Sequence, residues 1–587
     1  TMEVLTSIFP ALIDTFAFPK AMRWGDRDYR FGRPIRWILA LLGDDVVEFS
    51  YHDLTSGRTT YGHRTLAPAP VEVASSRALA EVLEASYVMY DQTRRSERIA
   101  AGAHELAADI GGVPVIDDRL LDEVVNLVEW PTPFVGSFDP GYLALPEPCV
   151  TTPMVDHQRY FPLRDGDDHL MAAFIGVRNG GDRSIDAVRA GNERVLAARL
   201  ADAKFFFEED MATRLVDRVE QLKGVVFQEK LGTMYAKAVR MGQLAARLLA
   251  GRSAAAMSEP TALLAKADLL TSVVREFTEL QGVRGREYAL RQGLEPSLAE
   301  AIREHYLPRF SGDELPNTEL GAALAVADKV DTIVGYFAIG LVPSGSADPY
   351  ALRRQAAGVL AVYNAARYVH GLDSLVEGAA RLYADASVIE EASVDAVAKQ
   401  VLEFIGTRLN VAMGEAGVRY DIADAAVAAG IGMPACTWER AWAVTSVAGE
   451  PWFEALATAA SRVRNISVHA EGVSAQFTSG LFVEAAEHEL HKAMIDLEAE
   501  VRPSVESRVS GFIDRNAYAC ALGRTSEMVS YINQYFEAVM VMAEDLQVRS
   551  NRLGMLKVLD GTLSLVVDLS KIVFAQREQL EAIPMEG

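Results

Sequence analysis

The pattern of hydrophobic and polar positions predicts a mixture of helices and strands in the N-terminal third of the chain. Over residues 1–65, a short helical pattern precedes short strands, and Gly43 and Asp44 predict a hairpin turn. Residues 66–115 are predicted to be helical. Residues 120–180 return to strands and loops, with an apolar run over residues 170–177 that indicates a buried strand.

From about residue 190 to the end, the pattern predicts an almost wholly helical chain. Ala, Leu, Arg and Glu dominate this part, and apolar residues recur with a period of 3.6 residues. Between residues 536 and 559 they form a stripe that predicts helical core packing. Gly-, Ser- and Pro-rich breaks predict helix ends at residues 251–253, 311–316, 342–346 and 430–434.

Length and cysteine usage restrict the class of protein. A chain of 587 residues is too long for one hydrophobic core, so several domains are expected. The three cysteines lie far apart, which argues against a disulfide framework or a thiolate zinc site and favours the cytoplasm. Neither a signal peptide nor a membrane span of about 20 apolar residues is evident. The first helical pattern has no clear cap before it, which suggests an N-terminal truncation.

The charge balance is strongly acidic. The chain has 57 Lys and Arg against 81 Asp and Glu, and its formal net charge is −24. This argues against a protein that coats nucleic acid without specificity. It still allows a local basic face that holds phosphates.

Motifs for nucleotide activation are missing from the sequence. It contains no GxxxxGK[ST] phosphate loop, no signature of either synthetase class and no GxSxG elbow. His488 and His491 are spaced three residues apart, which does not match an HExxH zinc site and indicates a solvated helix face. We therefore expect no catalytic residue, metal or cofactor on this chain.

Several unusual sequence blocks carry a family resemblance. They are FPKAMRWG at 18–25, GHR at 62–64, LVEWP at 127–131, DHQRYFP at 156–162, GNERVL at 191–196, RLADAKFF at 199–206, FQEKLGT at 227–233, EFTELQG at 276–282 and DPYALRR at 348–354. In this order they closely resemble the β subunits of bacterial two-subunit glycyl-tRNA synthetases. The resemblance covers essentially the whole chain, although the family normally begins with further N-terminal sequence.

The resemblance implies a multidomain, mainly α fold with an α+β N-terminal part. The implied domains are the remainder of an N-terminal α+β domain at 1–65, an α+β domain at 66–190, an HD-like helical domain with flanking helices at 191–400, a helical linker or body domain at 401–484, and a DALR-type anticodon-binding helical bundle at 485–587.

The resemblance also implies a function. The chain would be the tRNA-binding β subunit that supports ATP-dependent attachment of glycine to tRNA-Gly. The α subunit would carry the catalytic site with ATP and Mg²⁺, the partners would form an α2β2 heterotetramer, and this chain alone would be inactive.

The implied HD-like domain has an incomplete ligand set. A working site needs several N and O ligands around a metal, but the position resembling its His-Asp pair is occupied by Lys266 and Asp268. His305 and Asp328 remain. We interpret Asp268, His305 and Asp328 as a degenerate site, with the two aspartates either paired to Lys266 and Lys329 or retained for structure. A residual metal or phosphate site is the alternative, and the family suggests a contact with the tRNA acceptor arm.

Candidate tRNA contacts come from two helices. The sequence around residues 536–553 resembles the DALR-type fold, and Arg549, Asn551 and Arg552 suit phosphate and base-edge recognition. The alternative is that the two arginines form ion pairs with Glu544 and Asp545. Two further candidates, Arg353 and Arg354, are expected to begin a helix whose N-terminus would help to hold phosphate.

Three alternatives stay open at this point. The chain could be an HD-type metal-dependent phosphohydrolase acting on nucleotides, or a non-catalytic RNA-binding protein. It could also be the β half of a fused αβ enzyme.

Overall fold

The structure is a computed structural model that describes residues 2–26, 28–345, 347–366, 368, 370–470, 472–505 and 515–574. Residue contacts divide the chain into two compact units, Thr1–Asp210 and Met211–Gly587. The first unit mixes helices and strands, and the second is nearly all helix. This confirms the predicted mainly α fold with a small α+β N-terminal part.

The first unit alternates short strands with helices. Its elements are α1 (Met2–Asp14), β1 (Met22–Arg23), β2 (Arg30–Phe31), β3 (Ile38–Leu39), β4 (Leu41–Leu42), β5 (Asp45–Val46), β6 (Ser50–Tyr51), β7 (Leu54–Gly57), β8 (Thr59–Tyr61), β9 (Pro70–Glu72), α2 (Leu79–Ala85), α3 (Gln92–Ala108), β10 (Val113–Pro114), α4 (Asp118–Leu127), β11 (Pro131–Ser137), α5 (Glu147–Thr152), β12 (Phe161–Arg164), β13 (Leu170–Asn179) and α6 (Ile185–Met211).

The predicted hairpin at Gly43 and Asp44 is confirmed. Strands β4 and β5 pair antiparallel around it, and Gly43 has a positive φ of 63°, which favours glycine. Helix α1 packs against a small core that includes Val47 and Phe49. The Tyr51 hydroxyl donates a hydrogen bond of 2.8 Å to the Asp14 carboxylate at the end of α1.

A four-stranded antiparallel sheet forms the main core of the first unit. Its strand order is β10-β12-β13-β11. Because side chains alternate across a strand, Ile175 of β13 faces α3 and α4, while its neighbour Phe174 packs against α6 on the other face. Both faces of β13 are thus covered, which explains the unbroken apolar run over residues 170–177.

Two glycines make room for aromatic rings on this sheet. Gly136 of β11 pairs with Phe174 of β13, and Gly176 pairs with Phe134. A Cβ atom on either glycine would lie 2.4 Å from the ring of the opposite phenylalanine. Each ring therefore fills the space above a glycine on the neighbouring strand.

The second unit consists of helices and one short hairpin. Its elements are α7 (Leu215–Arg218), β14 (Val226–Gln228), β15 (Gly232–Thr233), α8 (Met234–Leu248), α9 (Ser258–Ala265), α10 (Ser272–Glu276), α11 (Val283–Arg291), α12 (Pro296–Glu304), α13 (Glu319–Ala338), α14 (Leu352–Ala366), α15 (Leu372–Asp385), α16 (Val394–Glu415), α17 (Tyr420–Ala428), α18 (Pro434–Val447), α19 (Pro451–Val468), α20 (Ala485–Val505), α21 (Arg515–Thr525), α22 (Met528–Ala538) and α23 (Leu546–Leu563).

The four predicted breaks fall between helices, although Ser346 lies outside the described residues. Helix α13 is central to this unit. Nearly all of its side chains are buried, and it packs against α8, α12, α14, α15 and α16. Its N-terminus is capped by Thr318, whose hydroxyl accepts a hydrogen bond from the Gly321 N–H.

The apolar stripe predicted from residue 536 to 559 is not one helix. Helix α22 ends at Ala538, and α23 begins at Leu546 after Asp545, whose carboxylate accepts from two N–H groups of the first turn. The stripe prediction was therefore wrong at Met540 and Leu546, which are exposed, whereas Val539 between the two helices is buried.

Helices on both sides of the predicted boundary at 484/485 share contacts. Helix α18 packs against α21, and α19 packs against α23. The predicted domain boundaries remain predictions, and residues 506–514 and 575–587 of the expected bundle lie outside the described residues. Within the described ranges, no helix combines the length and the apolar character that a membrane crossing requires.

We expect Gly176→Ala to destabilise the first unit. The added Cβ would be forced against the Phe134 ring, and overpacking of this kind costs roughly 1–3 kcal/mol. Thermal unfolding should show a lower midpoint, and Phe134→Leu in the same chain should partly restore it. Gly166→Ala is the matched control, since no atom lies within 4 Å of its added Cβ. Equal midpoints for Gly176→Ala and Gly166→Ala would contradict this packing.

Candidate RNA-binding residues and a buried charge cluster

Helix α13 carries charged residues into the core of the second unit. Asp328, Lys329 and Asp331 all lie on it, in surroundings that are otherwise apolar. Helix α8 supplies Lys237 and Arg240 as partners. Because isolated buried charges are very costly, each of these groups needs a partner at short range.

Asp331 is fully buried and receives two cations. Arg240 Nε donates to Oδ1 at 2.6 Å, and Lys237 Nζ donates to Oδ2 at 3.1 Å. Arg240 Nη2 also donates to the Tyr383 hydroxyl at 3.0 Å, and that hydroxyl donates to the Asp331 carbonyl at 3.1 Å. The interactions tie α8 and α15 to α13.

Asp328 is likewise held between two ammonium groups. Lys237 Nζ lies 3.0 Å from Oδ1, and Lys266 Nζ donates to Oδ2 at 3.1 Å. Burial alone would raise the pKa of Asp328, but the two lysines hold it well below its usual range. Burial lowers the pKa of Lys266, against the opposing effect of Asp328.

The prediction that Asp268 and Asp328 pair with their sequence neighbours Lys266 and Lys329 was therefore wrong. Lys266 pairs with Asp328 instead of Asp268. Lys329 donates to the Leu307 carbonyl at 2.7 Å, and burial lowers its pKa to about 8. Sequence neighbours such as Lys266 and Asp268 do not face each other along a helical backbone, whereas α13 brings Asp328 to Lys266 from a distance.

Asp268 and His305 are also enclosed. Asp268 Oδ2 accepts from the Gly282 N–H at 2.6 Å, and burial raises the pKa of this carboxyl to about 6. His305 Nδ1 lies 2.6 Å from the Ile302 carbonyl, to which it donates, and burial keeps its pKa well below the usual value.

These groups do not fit a metal ion. The Asp328 carboxylate is neutralised by two ammonium groups, and Asp268 is bound to backbone N–H. No group of three or more His, Cys, Asp or Glu suited to a metal occurs among the residues described. The contacts of Asp328 and Asp331 indicate a structural role, because they join α13 to α8 and to the end of α9. Lys237, Arg240 and Asp331 were not predicted, although two acids inside an apolar helix were a usable signal.

The start of α14 is already capped by a carboxylate. Asp348 accepts from the N–H groups of Leu352 and Arg353, at 2.8 and 2.9 Å. This contradicts the expectation that the free N-terminus of the helix would hold phosphate. Arg353 Nη2 donates to the Gly345 carbonyl at 2.6 Å. Arg354 is exposed, and its side chain has no polar partner among the described residues.

On α23, one of the three candidate residues is available to a ligand. Arg549 is half-buried, and no polar partner for its side chain occurs in the described part of the chain. Arg552 is buried and donates from Nε and Nη2 to the Glu487 carboxylate, at 3.0 and 3.1 Å. The suggested pairing with Glu544 and Asp545 is thus replaced by one with a residue of α20.

Glu487 also caps the start of α20, since it accepts from the N–H groups of Val483 and Glu484 at 2.8 Å each. The Arg552–Glu487 pair therefore joins the first turn of α20 to the middle of α23. A direct tRNA contact by Arg552 would require this buried pair to break, so the structure argues against that prediction.

Asn551 is engaged in a similar way. Its side chain accepts from the Thr478 N–H at 2.7 Å and donates to the Thr478 carbonyl at 3.2 Å. Further along α23, Gly554 leaves room for the backbone of Gln476, and Lys557 Nζ donates to the Val473 carbonyl at 2.8 Å. Three residues of α23 thus contact segment 473–478. The side-chain amide of Asn551 is engaged with Thr478, and its predicted contact with tRNA stays a prediction.

Beside this segment lies an open cleft of about 590 Å³. Phe477 and Thr478 form one wall, and Gln547, Ser550 and Asn551 of α23 form another. The rings of Phe477 and Phe482 stack at 5.9 Å and are flanked by His488 and His491. Of these four rings only that of Phe477 lines the cleft, and an aromatic ring next to amide and hydroxyl groups suits an unpaired base.

Comparison with known proteins identifies the family. The family model described as glycyl-tRNA synthetase beta subunit matches residues 1–428. The chain belongs to the glycyl-tRNA synthetase β-subunit family. The glycine–tRNA ligase beta subunit of Desulforamulus reducens is 44% identical over 577 residues, which are 98% of this chain and 81% of that protein. The one from Desulforudis audaxviator is 43% identical over 573 residues, covering 97% of this chain and 81% of its own length.

A third relative is the glycine–tRNA ligase beta subunit of Clostridioides difficile. It is 42% identical over 580 residues, which are 98% of this chain and 82% of that protein. The predicted family is confirmed, and the chain is a component of a glycine–tRNA ligase.

We expect Asp268→Asn to change how the free energy of unfolding depends on pH. The folded chain binds this proton with a pKa of about 6, while an exposed aspartate has a model value of 3.8. Between these values the folded state binds more protons, so the contribution of Asp268 to stability falls as the pH rises. Asparagine keeps the Gly282 acceptor but cannot ionise.

The stability of Asp268→Asn relative to the parent should therefore increase from pH 4 to pH 6, by about 2 kcal/mol at most. Urea unfolding of both chains over this range measures the difference. A difference that stays constant with pH would contradict a raised pKa at Asp268.

Proposed function

We propose that this chain is the tRNA-binding β subunit of a glycyl-tRNA synthetase whose catalytic site lies on the α subunit. The observation that carries the proposal is the match of at least 97% of the chain to glycine–tRNA ligase beta subunits. The α subunit would bind glycine, ATP and Mg²⁺ and form the activated amino acid. This chain would hold tRNA-Gly and orient its 3′ end, which accelerates transfer by positioning.

The assembly and the finer domain assignments belong to the same proposal. We expect an α2β2 heterotetramer in the cytoplasm, with an HD-like domain in the middle of the chain and a DALR-type anticodon-binding bundle at its C-terminal end. The separate α subunit and a fused αβ chain remain alternatives for the source of the catalytic site.

The C-terminal contact would be made by the cleft beside segment 473–478 and by Arg549. The cleft offers the Phe477 ring to a base, and Arg549 has a guanidinium that no described residue engages. Arg354 would add a phosphate contact in the middle of the chain, with Arg353 as a weaker candidate because its guanidinium already binds a carbonyl. Asn551 and Arg552 would act by holding the surrounding backbone.

The phosphohydrolase alternative has less support. Metal-activated water needs several ligands around one cation, and Asp328 instead faces two lysine ammonium groups. The buried lysines supply the positive charge that a metal would otherwise bring, so the donor set favours a structural role.

The test separates a contact residue from a positioning residue on the same helix. Arg549→Ala should weaken tRNA-Gly binding, because one lost base or phosphate contact costs roughly 1–3 kcal/mol. Its melting midpoint should stay unchanged, since Arg549 has no described partner. Arg552→Ala should lower the melting midpoint, because it leaves the Glu487 carboxylate buried and unpaired.

Filter binding with tRNA-Gly and thermal unfolding measure the two effects. An Arg549→Ala chain that binds tRNA-Gly as tightly as the parent would remove Arg549 from the proposed contact. If the parent itself shows no affinity for tRNA-Gly in the presence of the α subunit, the proposed function is wrong.

A further inference from the structure

A short stretch of the first unit concentrates positive charge in an otherwise acidic chain. Residues 17–36 contain six Lys or Arg and two Asp, whereas the whole chain has a net charge of −24. Arg27 lies outside the described residues. The other five cations are all exposed, and we name them the cationic patch: Lys20, Arg23, Arg30, Arg33 and Arg36.

None of these five side chains has an ion pair or a side-chain hydrogen bond with any residue that the structure describes. Arginines elsewhere on the same unit behave differently. Arg94 pairs with Glu84 at 2.8 Å, and Arg119 pairs with Asp156 at 3.1 Å. An acidic protein has ample carboxylates to neutralise its cations, so a group of five left unpaired indicates a ligand that supplies the negative charge.

Two of these arginines are placed directly opposite each other. Strands β1 and β2 pair antiparallel, and their register sets Arg23 against Arg30. Like charges at directly opposed cross-strand positions are destabilising, so this pair costs stability in the free chain. An anion bound across the two strands would remove that cost.

The hairpin that carries the pair is held firmly. Trp24 Nε1 donates to the Phe31 carbonyl at 3.0 Å, and the rings of Phe18 and Phe31 meet edge-on at 4.6 Å. Gly32 lies under the Phe18 ring, since a Cβ there would be 2.9 Å from it. Because these contacts fix the backbone of the hairpin, it has little backbone entropy to lose when Arg23 and Arg30 bind a ligand.

We propose that the cationic patch binds the phosphate backbone of tRNA. The proposal rests on the proposed function and adds a contact in the first unit, remote in sequence from α23. Guanidinium groups fit phosphate oxygens through paired N–H donors, and a nucleic acid backbone supplies charges at regular intervals. Next to Arg36, the exposed Trp37 ring lies 4.7 Å from that of Tyr61 and offers a stacking face for an unpaired base.

The experiment compares two double variants of the full chain in complex with the α subunit. Arg23→Gln with Arg30→Gln removes the opposed pair. Arg94→Gln with Arg119→Gln is the matched control, because it removes the same charge from two exposed arginines that already have carboxylate partners. Filter binding with tRNA-Gly is measured between about 50 and 200 mM salt, because affinity that depends on phosphate contacts falls steeply over this range.

We expect the patch variant to bind tRNA-Gly roughly 10-fold more weakly at low salt. The slope of log affinity against log salt should become shallower by about 1.4 to 1.8, which corresponds to two phosphate contacts. Its melting midpoint should equal or exceed that of the parent, since repulsion across the hairpin is relieved. The control should keep the parent's affinity and slope.

Two results would contradict binding of tRNA by the cationic patch without contradicting the proposed function. In the first, the patch variant binds tRNA-Gly with the affinity and the salt dependence of the parent. In the second, its tRNA affinity is unchanged and sedimentation shows weaker association with the α subunit. The second result would indicate that the cationic patch binds an acidic surface of the α subunit. A parent complex that binds no tRNA-Gly would overturn both proposals.

Discussion

The second unit depends on the neutralisation of two aspartates inside helix α13. Asp328 and Asp331 sit in a helix whose side chains are nearly all buried, and each receives two cations. Removal of one partner from a buried ion pair typically costs about 3–5 kcal/mol, because the remaining charge stays in a medium of low polarity. The cations come from α8 and from the end of α9, so the requirement for neutrality also fixes how these helices pack on α13.

The hydrogen-bond and ion-pair partners of each cationic side chain also distinguish structural charges from those that are free to bind RNA. Arg240 and Arg552 are enclosed and satisfied by carboxylates, as are the lysines beside Asp328. Arg549, Arg354 and the cationic patch have no described partner and reach solvent. An acidic chain can in this way hold a polyanion locally while the rest of its surface repels nucleic acid, which favours a specific complex over general binding.

Local features were predictable from the sequence, and long-range partners were not. The hairpin at Gly43 and the helix breaks depend on a few adjacent residues, so they could be found without the fold. The partner of Arg552, Glu487, lies 65 residues away in sequence. The prediction instead chose Glu544 and Asp545 because they are close in sequence. The gap between α22 and α23 was missed because apolar spacing continues across it, although Asp545 is a typical N-cap residue.

The central claim is that this chain holds tRNA while another subunit performs the chemistry. The most direct measurement is glycylation of tRNA-Gly by the chain alone, by the α subunit alone and by the two together. The account predicts that neither protein alone attaches glycine at a significant rate and that the mixture does. Glycylation by this chain in the absence of the α subunit would contradict the account, as would full activity of the α subunit without it.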